Sequence, residues 1–156
     1  MDPEISDTTP PPSIAKLPVA ASIVARIGIA DSVYLSVHHY TAEPVPCSII
    51  EGCEQVLNSQ WAEIGGIPLA AFGAAAYFAA FSLALLTAFG DQRMWKLFGA
   101  QVTIMAITSA YLVYVQGALI GAFCQFCLLS ALTTFVLLAL FILSIFSARK
   151  EAGSMA

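Results

Sequence analysis

Four segments of this chain are each apolar for about 20 residues or more, the length a helix needs to cross the hydrocarbon of a bilayer. They run near 17–37, 66–89, 95–116 and 122–147, and the second and fourth carry no charged residue. In lipid every backbone polar group has to be satisfied within the protein, so segments of this kind are helices. Two of the connections are short, "GDQRMWK" and the hinge "QGALIG". The expectation is an all-α integral membrane protein, a four-helix bundle. Small residues in the second span, "AAFGAAAYFAAFS", permit close helix contact. Composition agrees: 59% of residues are hydrophobic, 10% are charged and the mean hydropathy is +0.83, against roughly 25% charged in an ordinary soluble domain.

The connection between the first two spans, 38–65, is long, and the bundle's sidedness follows from the basic residues. With four spans, the two termini and the second connection share one face, which holds Lys16, Arg93, Lys96, Arg149 and Lys150. The opposite face holds no Lys or Arg, and the sixth basic residue, Arg26, lies inside the first span. The positive-inside rule therefore predicts cytoplasmic termini and a long loop that faces the periplasm or an equivalent exoplasmic space. Residues 1–16 are acidic and Pro-rich without a positive n-region, so they read as a disordered cytoplasmic tail and not as a cleaved signal peptide. Residues 148–156 read as a second cytoplasmic tail, leaving 17–147 as the membrane domain. A net charge of −4 and the lack of a basic run speak against nucleic-acid binding.

All four cysteines fall on the exoplasmic side, where thiols are exposed to oxidation. Cys47 and Cys53 lie in the long loop; Cys124 and Cys127 open the fourth span as a C-x-x-C. Three functions are open for them. Two static disulfides are one, although each would close a very short loop and so stabilise little. A thiolate metal or iron–sulfur site is another, although zinc ribbons pair C-x-x-C with a second short knuckle, and here the partner spacing is C-x5-C. The third is redox exchange. A helix N-terminus stabilises thiolate, which makes Cys124 or Cys127 reactive. Phe123 and Phe126 give that end an apolar, aromatic setting suited to a flat, lipid-soluble electron carrier such as a quinone. The prolines of "EPVP" hold Cys47 out toward a soluble partner. Cys53 opens "CEQVLNSQWAEIGG", a short amphipathic helix with Leu57, Trp61 and Ile64 on one face, expected to lie over the bundle and bring Cys53 near Cys124. One dithiol is then reachable from water and one from lipid, which suits a thiol–disulfide relay.

The C-x5-C loop, "NSQWAEIGGIPLAAFG", and F-C-x-F-C at the head of the last span together resemble the vitamin K epoxide reductase family in its bacterial form. The resemblance covers about residues 25–145. It implies that Cys127 faces a quinone of the ubiquinone, menaquinone or phylloquinone type and forms a transient sulfur adduct with it. It implies that Cys124 exchanges with Cys53, and that Cys47 takes electrons from a thioredoxin-like or DsbA-like protein. Ser59 matches the family's loop serine, with an ordinary polar helix position as its alternative. Two departures stand out. The human-type enzyme has an Asn near the start of span two and a Tyr in span four that contact the vitamin K head group, and "GIPLAAFG" and "CLLSALTTF" supply neither. Many bacterial homologues carry a fused thioredoxin-like domain, whereas this sequence stops at Ala156, so either the partner acts in trans or the sequence is part of a longer chain.

Other polar residues admit two readings each. Arg26 and Asp31 are costly in lipid and lie about 140° apart around a helix, a poor direct pair. Asp31 either assists proton transfer to a reduced quinone or pairs with polar groups on neighbouring helices; Arg26 either pairs likewise or snorkels. His38 and His39 serve in a proton relay or as metal ligands or, with Tyr40, as interface anchors. Trp61 and Tyr111 are candidate quinone contacts, and Tyr111, like Tyr114, is otherwise a packing residue. The expected function is a thiol:quinone oxidoreductase supporting disulfide formation. The alternatives are quinone or vitamin K epoxide reduction by the same relay, and a non-catalytic four-span scaffold with a disulfide-stapled loop.

Overall fold

A computed structural model of the chain describes residues 12–154. The expected disordered tail therefore lies outside the described residues as far as residue 11. The order of elements is α1 (Pro12–Thr41), α2 (Cys53–Leu57), β1 (Glu63–Ile64), β2 (Ile67–Pro68), α3 (Leu69–Ala88), α4 (Gln92–Val115), a π turn (Gln116–Ile120) and α5 (Gln125–Ser154). Among the described residues, α1, α3, α4 with its π turn, and α5 are each long and apolar enough to span a membrane. They form a four-helix bundle in which α1 packs on α3 and α5, and α4 packs on the same two helices. The protein is an integral membrane four-helix bundle, as the hydropathy pattern requires.

The α1–α3 seam is built from small residues. Ala21 and Ala25 of α1 meet Ala80 and Ala84 of α3, all fully buried. Gly28 leaves room for the Tyr77 ring, since a Cβ there would sit 2.6 Å from its Cζ. Without water to expel, helices in lipid associate through close packing of this kind. Toward the far end, Trp95 stacks on Phe98 with ring centroids 4.6 Å apart and donates from Nε1 to the Ser144 hydroxyl at 2.7 Å. Gly99 admits the Phe141 ring from α5. The outward faces expose Ile23, Phe78, Ile104, Ile107 and Leu132 to lipid.

Three expectations shift. First, "GDQRMWK" is mostly helix. Gly90, at φ +116°, reverses the chain after α3, and Asp91 caps α4 by accepting from the Arg93 amide at 3.1 Å, so only three residues separate the helices. Second, the hinge "QGALIG" is a π turn that continues α4 and ends at Gly121, φ +69°. The fourth helix starts at Gln125 and runs through the expected second tail to Ser154. Third, the loop helix is one turn long. It stops at Leu57, because the Ser59 hydroxyl and amide both turn back to the Val56 carbonyl. Trp61 and Ile64 are therefore not on its face. Ile64 and Ile67 instead pair in a minimal hairpin across Gly65 and Gly66, both at positive φ.

Candidate functional site

The site forms where the long loop between α1 and α3 meets the turn between α4 and α5. Cys47 and Cys53 are joined by a disulfide with Cα atoms 6.3 Å apart. Cys47 is half-buried, while Cys53, the first residue of α2, is 1% exposed. Cys124 and Cys127 are free thiols. Cys53, Val56, Ala122 and Cys124 form one buried cluster, against which Cys47, Leu57, Ile120, Phe126 and Cys127 pack. The structure thus brings together four cysteines drawn from positions 47 to 127.

Polar side chains hold the loop on the turn. Gln125 accepts from the Ile49 amide at 3.2 Å, and Gln55 donates to the Ile120 carbonyl at 3.4 Å. Gly52 lies so close that a Cβ would come 2.7 Å from the Phe123 carbonyl oxygen. Beneath the loop, Gln116 is 4% exposed and its Oε1 accepts from the Cys124 amide at 2.9 Å.

Cys124 immediately precedes α5, and its carbonyl accepts from Leu128 N at 3.0 Å. Its Sγ accepts from the Cys127 amide at 3.5 Å, the position a capping oxygen takes at a helix start. The Cys127 thiol beside it and the amides of Cys127 and Phe126 hold the Cys124 thiol down at about 7, against opposing burial. At neutral pH that leaves an appreciable thiolate fraction at Cys124, the nucleophilic form.

Below this turn the helices part around a cavity of about 330 Å³. Its walls are mainly apolar, with Leu69, Phe72, Met105 and Leu112 among them, and Cys127 opens onto it. Ser59 and Trp61 line its loop side, and so does His39, whose Nε2 lies 3.6 Å from a Glu63 carboxylate oxygen. Deeper in, the Tyr77 hydroxyl meets Ser130 Oγ at 3.0 Å, the Ser130 carbonyl at 2.6 Å and Thr134 Oγ1 at 2.7 Å.

Of the residues singled out as quinone contacts, Trp61 lines this cavity, whereas Phe123, Phe126 and Tyr111 are not part of its wall. Phe123 lies outward over Gly117 and is 42% exposed. Phe126 packs on Tyr34 of α1 at 5.2 Å between centroids. Tyr111 is half-exposed on the outer face of α4. Asp31 is buried, and neither carboxylate oxygen has a hydrogen-bond partner among the described residues. It is close enough to Tyr77, Cys124 and Cys127 to act on each through space. Arg26 takes no part; its guanidinium lies 5.8 Å from the Phe81 ring centroid on an exposed face.

Among the cavity residues that the sequence did not reveal, Tyr77 and Gln116 are the most informative. Each is a lone polar group in a run of small or apolar residues, "AAFGAAAYFAAFS" and "QGALIG". In a span, such a group needs an internal partner, and that requirement is a usable signal.

The family model of the vitamin K epoxide reductase family matches residues 19–142. The thiol-disulfide oxidoreductase LTO1 of Arabidopsis thaliana is 34% identical over 125 residues, which cover 74% of this chain and 32% of that protein. This chain thus spans about a third of the length of that relative. With a matched region that takes in all four cysteines and the greater part of each membrane helix, the chain belongs to the vitamin K epoxide reductase family.

Proposed function

We propose that this protein is a membrane thiol oxidoreductase that reoxidises a soluble thioredoxin-like or DsbA-like partner and passes the electrons to a quinone. Disulfide formation on the exoplasmic side is the net result. The observation that carries the reading is the division of labour among the sulfurs. Cys47 is reachable from water, Cys53 and Cys124 are buried in one cluster, and Cys127 opens onto an apolar cavity. The family and the name of its plant relative support thiol–disulfide chemistry. The absence of Lys and Arg from the loop supports an exoplasmic site with cytoplasmic termini, as in a bacterial inner membrane.

The cavity fits a quinone head group. Its volume is in the range of small-molecule sites, and its walls are apolar with a few convergent polar groups. A bound quinone supplies a two-electron, two-proton acceptor, matching what a dithiol releases when it forms a disulfide. The protein's own steps are exchanges. A partner thiolate attacks Cys47, the less buried residue of the pair, and Cys53 leaves as thiolate. The partner's second thiol then displaces Cys47, so the partner leaves oxidised and the loop pair is reduced. Cys53 next attacks Cys124 of an oxidised Cys124–Cys127 pair and displaces Cys127. Cys47 closes on Cys53, which restores the loop disulfide and leaves the C-x-x-C reduced. With the loop pair joined and the C-x-x-C thiols free, the next transfer in this scheme would run from Cys127 into the cavity. Asp31 serves as proton acceptor for the C-x-x-C, and Ser59 orders the loop through its bond to Val56.

Quinone reduction, followed by absorbance with a reduced thioredoxin-like partner, tests the reading. Wild type should turn over, and serine at Cys47, Cys53, Cys124 or Cys127 should stop it. With dithiothreitol as donor, the two loop variants should recover while the C-x-x-C variants stay silent. Wild type that is inert toward every quinone, or that turns over only an epoxide, overturns the proposal.

A further inference from the structure

Gln116 has one half of its amide committed and the other half free. The Cys124 amide can only donate, so the oxygen of the Gln116 side chain must face it, as the 2.9 Å contact has it. The nitrogen, Nε2, therefore points the other way. It has no hydrogen-bond partner among the described residues. It is not sealed off either, because the two oxygens of Asp31 are the enclosed, unpartnered side-chain polar atoms among those residues. Gln116 shares the wall of the cavity with Cys127, so the cavity is the space within reach of this nitrogen. An amide donor in an apolar cavity without an acceptor is unfavourable, and an acceptor arriving with a ligand removes that cost.

Resting on the proposed quinone reduction, we propose that Gln116 is the carbonyl-recognition residue of the cavity, with Nε2 donating to a carbonyl oxygen of the quinone held beside Cys127. The donor opposes the oxygen on which negative charge grows as the electron pair leaves the Cys124–Cys127 dithiol. It therefore favours electron arrival as well as binding. The balance is complete: two S–H bonds are lost, one S–S bond forms, and two electrons and two protons pass to the acceptor. The same side chain fixes the start of α5 through Oε1, so the ring is registered against the helix that carries the reacting sulfur.

The test compares ligands as well as variants. Affinities for menadione and for 2-methylnaphthalene, which lacks the carbonyls, are measured by quenching of Trp61 fluorescence. The full chain carries Trp95→Phe, and its thiols are oxidised so that no turnover occurs. The affinity ratio, quinone over hydrocarbon, should fall about tenfold in Gln116→Met. Gln116→Glu keeps an oxygen for the Cys124 amide and, once ionised, offers no donor; read on the alkaline plateau of its pH profile, its ratio should fall similarly. That second variant holds the test open if the first does not fold, as judged by helicity and melting in detergent. A ratio unchanged within about twofold in the folded variants, alongside wild type that binds and reduces quinone, overturns this assignment alone. Wild type that neither binds nor reduces quinone overturns the proposed function, and this assignment with it.

Discussion

The two ends of the bundle solve opposite problems. The end that carries Trp95, Phe98, Gly99 and Phe141 is closed by shape, with aromatic rings seated over a glycine and a short polar tie from Trp95 to Ser144. The end that carries the cysteines is held by side-chain amides, Gln55, Gln116 and Gln125, and encloses a cavity. Packing sets a stable distance between helices but leaves no room for a ligand. Hydrogen bonds across a turn hold a geometry while leaving space beneath it. Stability and chemistry should therefore separate along the bundle axis.

The sharpest way to break that separation is at Cys124. Cys124→Ser keeps the shape of the buried cluster and removes its nucleophile, so quinone turnover should fall by about 10³-fold or more with the melting temperature nearly unchanged. A parallel collapse in stability would mean that the cysteine cluster also serves as core. Asp31 lies along the same axis, buried and unpartnered near Tyr77 and the C-x-x-C. An ionised carboxylate in that position is costly, and Asn removes the charge at constant shape. Asp31→Asn should therefore melt no lower than wild type while turning over about 100-fold more slowly, the scale of a lost proton acceptor. Unchanged turnover would make Asp31 a structural residue.

The far end should answer in the other way. Gly99→Val places side-chain atoms inside the Phe141 ring position. It should cost about 1–3 kcal/mol of stability, read as a lowered melting temperature in detergent, with turnover per folded molecule retained. Gly52→Ala tests the amide-held end by geometry alone. Its Cβ would come 2.7 Å from the Phe123 carbonyl oxygen and lift the loop from the turn. Partner-driven turnover should fall about tenfold, since small misplacements of reacting groups are costly. Dithiothreitol-driven turnover, which bypasses the loop, should remain. Equal losses with both donors would show that the turn itself had moved.

The sequence made one of these ends far more legible than the other. Hydropathy located all four spans, because lipid leaves a chain few alternatives to helix. The same pattern placed all four cysteines at one end. Residues whose role depends on a distant partner stayed hidden. Tyr77 is explained by Ser130 and Thr134, more than 50 positions away, and Gln116 by an amide beyond a π turn that no local signal announces. Phe123 and Phe126 were read as cavity walls from proximity to the cysteines. A helix start sends neighbouring side chains to different faces, and only Cys127 of that group lines the cavity. The loop was misread for a local reason. The pair Gly65–Gly66 between two isoleucines is a hairpin signal, but amphipathic spacing through Trp61 and Ile64 argued for helix, and the turn at Ser59 decided against it.

The smallest effect sharpens the comparison most. Trp95 reaches Ser144 through one hydrogen bond at 2.7 Å, at the end of the molecule remote from the sulfurs. Trp95→Phe keeps an aromatic ring to stack on Phe98 and to face Phe141 while deleting that donor. The Ser144 hydroxyl donates to the Phe141 carbonyl at 2.6 Å, so it is not stranded by the change. The loss should thus be that of a single ordinary hydrogen bond, about 1 kcal/mol, visible as a shift of a few degrees in melting. Turnover with either electron donor should match wild type. If turnover dropped while stability held, strain at the closed end would be reaching the cysteines along α4 or α5. The two ends would then be one coupled unit, and the cavity's geometry would depend on packing at the far side of the membrane.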